Sequence, residues 1–154
     1  MSIHSSIHTS IHPLAAFTSA MVLATPLAAQ NVIAPDDLVK IALVNLELID
    51  KRNTASVWNE ASPVFKRRVS REAFDMNMVQ TRPMDAGALA RSWTHVSRFA
   101  LADGNPAGWP GGIYARVNFL ARTSAGKILN EQVGFRLEPD QRWRLTAYQV
   151  DAAR

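Results

Sequence analysis

No cysteine occurs in the 154 residues of this chain. That absence excludes disulfides, thiolate metal ligands, a thiol nucleophile and a lipid-anchored cysteine together. Histidine is almost as scarce. Three of the four histidines are His4, His8 and His12, which leaves His95 alone for the rest of the chain. Beyond the amino-terminal segment, neither a histidine-cluster metal site nor a two-histidine mechanism can be built. Asp, Glu, Lys and Arg are missing altogether from Met1 to Ala29. No glycine-rich phosphate loop, cofactor motif or linker interrupts the remainder, and no metal or cofactor is expected.

The uncharged start has a definite reading. Pro13 to Ala29 is a run of Leu, Ala, Phe, Met, Val and small residues, closing on Pro26-Leu27-Ala28-Ala29. A short apolar stretch ending in a helix breaker and small residues suits a signal peptidase, so residues 1–29 are expected to be a signal peptide cleaved after Ala29. The product would be periplasmic or secreted. The span is marginal against the roughly twenty apolar residues that cross a bilayer, and Pro26 shortens it, so no membrane span is expected after processing. The tandem Ser2-Ile3-His4, Ser6-Ile7-His8, Ser10-Ile11-His12 could hold a metal on one helix face. A low-complexity extension lost with the signal accounts for it more simply.

Residues 30–154 are then one ordinary domain with enough chain for a core. The net charge is +4, with 13 arginines to 4 lysines. Lys66-Arg67-Arg68 with Arg71 is the densest basic patch; it suits an acidic partner or an anionic envelope component, or is a solvated helix face. Nucleic acid is not expected, because only Phe65 and Phe74 lie among these basic residues and stacking platforms are otherwise missing.

The two halves of the domain differ in period. After Ala34-Pro35, a helix capped by Asp36 or Asp37 carries Leu38, Ile41, Ala42, Leu46 and Ile49 at helical spacing. Asn53-Thr54 ends it, and a short helix with Val57, Trp58 and Ala61 follows. Ser62-Pro63 is a cap followed by proline at the first helical position, starting Val64 to Val69. Ser70 caps Arg71 to about Gln80, with Phe74, Met78 and Val79 turned inward. From Ala90 the signals are strands: Ala90 to Ala102, Ile113 to Thr123, Ile128 to Glu138 and Arg142 to Val150, with a Gly/Pro-rich loop over 103–112. Ala115, Val117, Phe119 and Ala121 share one face of their strand, and Tyr114, Arg116, Asn118 and Arg122 the other. Helices followed by an antiparallel meander make an α+β domain, its amino-terminal helices packed on a curved antiparallel sheet of about four strands.

Within that sheet one residue breaks the pattern. Leu129, Val133, Phe135 and Leu137 turn to the interior, and the same period places Glu131 among them. A carboxylate there must find a partner or shift its pKa. Arg82 and Arg91, where helices meet sheet, are the expected partners, since arginine bridges a carboxylate with two parallel hydrogen bonds.

The order Trp58-Asn59-Glu60-Ala61-Ser62-Pro63-Val64-Phe65-Lys66, Val69-Ser70, Phe74, Arg82-Pro83, then Arg91-Ser92-Trp93, Pro110-Gly111-Gly112-Ile113-Tyr114, Val117, Phe119, Glu131, Trp143-Arg144-Leu145 and Tyr148 resembles an exported bacterial family, domain-of-unknown-function family 4019. Arg142 and Ala147 stand where that family usually has glycine, and the glycine after the Arg-Pro pair is displaced to Gly87. The resemblance implies an exported domain similar to the nuclear-transport-factor-2-like cone. It implies no activity.

Candidate ligand-binding or buried polar residues are therefore Glu131, Arg82, Arg91, Trp58 and Trp109. Glu131 could be a base in a desolvated cavity, but a structural ion pair outweighs that reading. Asp75 and Asp85 with Tyr114 or Tyr148 would be needed for an isomerase- or cyclase-like proton abstraction. Alternation turns both tyrosines to the polar sheet face, and the two acids read as surface residues. His95 reads as a structural histidine. Trp58, Trp93 and Trp143 are spaced as core aromatics. Trp109, in its Gly/Pro-rich loop, either contacts a ligand or partner or folds back over the sheet. No catalytic set emerges, so the expectation is a non-catalytic binding domain for a small ligand or envelope partner, with a homodimer through the open sheet face as one form. The alternative is a small enzyme using an acid inside the cone.

Overall fold

The computed structural model describes residues 33–81 and 88–153. The expected signal peptide, Arg82, Pro83, Asp85 and Gly87 lie outside the described residues. Four helices precede four strands: α1 Pro35–Asp50, α2 Thr54–Glu60, α3 Pro63–Arg68, α4 Arg71–Thr81, then β1 Ala88–Leu101, β2 Gly112–Thr123, β3 Ile128–Leu137 and β4 Trp143–Ala152.

Local chemistry sets the helix starts. Ser62 accepts from the Val64 amide at 3.1 Å with Pro63 next, and Ser70 accepts from the Ala73 amide at 3.1 Å. Asn53 does more than end α1; its side chain caps α2 by accepting from Ser56 N at 3.2 Å. The start of α1 corrects the expected acidic cap. Ala34 is the cap residue and makes no side-chain bond, while Pro35 fixes the first turn. Asp36 and Asp37 lie within that turn, where they face the positive end of the helix dipole.

The strands form one antiparallel sheet in the order β1-β2-β3-β4, a plain meander. Its helix-side face carries Ala115, Val117, Phe119, Val133, Phe135 and Leu145, which meet Leu38, Ala42, Leu46, Ile49, Val57 and Phe74 from the helices. Burial of these side chains is the main force holding the layers together. Alternation along β2 and β3 follows the sequence reading, Glu131 included.

Three side chains depart from it. Between Gly134 and Phe135 the register slips: Phe135 pairs with Leu145 but Gly134 with Ala147, so Thr146 is an extra residue in β4. That bulge reverses the faces beyond it and turns Tyr148 inward, where it is buried. Glycine fits closely opposite the slip, since a Cβ on Gly134 would stand 3.1 Å from Ala147 Cβ and press its neighbour back by a few tenths of an ångström. Trp93 pairs with Phe119 on the edge strand β1, yet it is 51 % exposed and no core residue. Val79 is also exposed; α4 turns only Phe74 and Met78 to the core.

Candidate functional site

Glu131 is the centre of a buried polar junction. Its side chain is 0 % exposed. Arg91, from β1, donates Nε–H to Oε2 at 2.5 Å and Nη2–H to Oε1 at 3.2 Å. The Tyr148 hydroxyl donates to Oε1 at 3.1 Å. The far side of the same guanidinium grips Asp50 at the end of α1, with Nη1 at 2.5 Å from Oδ2 and Nη2 at 2.9 Å from Oδ1. One arginine thus forks onto two carboxylates, joining the first helix to the edge strand and to β3. Burial lowers the Arg91 pKa from its ordinary value, and the nearby Tyr148 opposes that shift. A guanidinium keeps its charge in proteins, so the junction is ionic.

This arrangement decides what Glu131 can do chemically. Both of its oxygens accept bonds from the protein, which holds the group as the carboxylate of an ion pair. Asp75 pairs with Arg71 of the same helix at 2.7 Å, which holds its carboxyl below the usual range. His95 is exposed on the outer sheet face opposite Asn118. Among the described residues no three of His, Cys, Asp and Glu converge to hold a metal ion.

A second buried pair lies at the other end of β3. Ser62 donates its hydroxyl to Glu138 Oε1, and Arg136 Nη1 meets Glu138 Oε2 at 2.6 Å. The Ser62 amide also donates to Leu145 O at 2.9 Å. This cluster ties the start of α3 to β3 and β4.

Between those anchors runs a cleft of about 420 Å³ along the free edge of β4. Four consecutive residues, Thr146 to Gln149, line it, so it faces the edge of the strand instead of one sheet face. Phe65, Val69, Phe74 and Met78 form its apolar wall. Trp58 backs that wall, its ring 6.1 Å from Phe65 and 5.4 Å from Phe74. Trp109 closes the mouth. Its loop folds back, the indole meeting Tyr114 edge-on at 6.1 Å, and Arg68 lies over its ring at 4.5 Å. Within hydrogen-bond reach, Arg68 Nη1 donates to Gly108 O at 2.7 Å. Tyr148 links the two regions, since it lines the cleft and bonds Glu131.

The family model described as Protein of unknown function (DUF4019) matches residues 41–148. The chain belongs to that family. In this DUF4019 domain the matched span runs from the middle of α1 through Tyr148, so it takes in both buried polar clusters and all of the cleft lining but Gln149. No curated protein and no solved structure matches the chain.

Of the residues singled out from the sequence, the structure brings Glu131 and Arg91 into direct contact. It places Trp58 and Trp109 at the back and mouth of the cleft. Asp50 and Tyr148 were missed. Asp50 had a signal, because it continues the Ala42–Leu46 stripe of α1 by one more turn. Tyr148 had none, since a bulge cannot be counted from alternation alone.

Proposed function

We propose that this is an exported binding domain with no catalysis of its own, and that a small ligand with an apolar body lies in the cleft beside β4. The observation that carries the reading is the contrast between two neighbouring regions. The acid set in the apolar face of the sheet is held at both oxygens by Arg91 and Tyr148, while the adjoining cleft offers apolar wall and unfilled space. Its volume falls within the range of about 300–1,000 Å³ usual for small-molecule sites. Helices closing over a sheet also agree with the cone-like architecture that the resemblance implies.

The test is native mass spectrometry of the protein recovered from the periplasmic or secreted fraction. A chain beginning at Gln30 and carrying a non-covalent small molecule is expected. Ala73→Trp, which places an indole in the cleft from an exposed position on α4, should remove that molecule and leave the fold intact. A bound molecule that persists in this variant would place the ligand elsewhere. A chain that retains residues 1–29 would overturn export with cleavage.

A further inference from the structure

The cleft is mainly apolar, with Asn77, Thr146 and Gln149 as the neutral polar part of its lining, and is cationic at one end. Phe65, Val69, Phe74 and Met78 present hydrocarbon, and the guanidinium of Arg68 stands at the mouth against Trp109. Arg68 is fixed in place from two sides. The indole face holds one plane by cation–π attraction, and Gly108 O takes one Nη1–H. Gly108 adopts φ +67°, a conformation glycine allows at little cost, and its carbonyl takes that bond. No carboxylate among the described residues lies within ion-pair range of Arg68. By contrast Arg71, Arg91, Arg136, Arg142 and Arg144 are each paired with one.

Lys66 and Arg67 add positive charge on the same final turn of α3, and Lys66 donates to the backbone carbonyl of Asn59. An oriented cation with donors to spare, beside a hydrocarbon wall, is complementary to one class of molecule. We propose that the ligand is an anionic amphiphile, its chain along the cleft and its carboxylate or phosphate on Arg68. The inference rests on the cleft reading above and adds the sign and place of the head group. The arginine fork suits the planar oxygens of either head. The continuous wall of Phe65, Val69, Phe74 and Met78 suits a hydrocarbon chain better than a sugar, and a neutral lipid would leave the charge unanswered.

Calorimetric titration below micelle concentrations tests this, with dodecanoate, dodecyl phosphate and dodecanol as probes. The two anions are expected to bind at least about tenfold more tightly than the alcohol, the worth of one charge-assisted hydrogen bond. The stronger of the two identifies a fatty-acid or a phosphate-ester head. Arg68→Gln should erase that preference, bringing the two anions down to the affinity of the alcohol measured on the same variant. Equal affinity for dodecanol and the anions overturns the head-group inference while the cleft stands. Undiminished anion binding in Ala73→Trp overturns the cleft itself. Failure of all three probes to bind overturns the amphiphile.

Discussion

Glu131 shows how much a single position can announce. Its place among Leu129, Val133 and Phe135 marked it as a buried charge from the sequence, and Arg91 was legible as a partner because it stands where the first strand begins. What could not be read was how the charge is shared. Asp50 reaches the same guanidinium from 41 residues upstream, and Tyr148 arrives only because Thr146 is an extra residue in β4. Removing one partner of a buried pair is costlier than the pair is worth, since the other is left uncompensated. Glu131→Gln should therefore destabilise the fold by about 3 kcal/mol, read from the urea midpoint at an unchanged slope. A loss within experimental error would mean that the junction contributes nothing to stability.

At the scale of elements, the helices are locally coded and their attachment to the sheet is not. Ser62, Pro63 and Ser70 stated where α3 and α4 begin, and the loop over 103–112 was plain from its composition. The inward face of α4 was harder, because Phe74 and Met78 give it a narrow stripe and Val79 lies just beyond it. The side of that helix is partly held by the Arg71–Asp75 pair, both members of which are substantially exposed. The pair is thus worth only about 0.3 kcal/mol. Arg71 lowers the Asp75 pKa in the folded state, so the contribution is present above the ordinary carboxylate range and fades as pH falls through the folded value. Asp75→Asn should sit slightly below the native protein in urea midpoint at pH 7, and the two should converge below about pH 4. A gap that widens in acid would contradict this.

Over the whole molecule, the class of fold was legible because its two halves have different periods. The cleft was not, because it depends on where an edge strand ends up beside α3 and α4, and neither period encodes that. The layers share one core, in which Val117, Phe119, Val133 and Phe135 meet Leu38, Leu46 and Phe74. Unfolding followed by tryptophan fluorescence and by far-ultraviolet circular dichroism should give coincident urea transitions, as expected of a single cooperative unit. Separate midpoints would show that the helical half survives without the sheet.

Arg91 carries a consequence in time. Its two acids come from 41 residues before it and 40 residues after it. The arginine can meet Asp50 once α1 and β1 are in place, but its contact with Glu131 needs β3 as well. Closing the junction thus joins segments far apart in sequence on both sides of Arg91, the kind of non-local contact that slows folding.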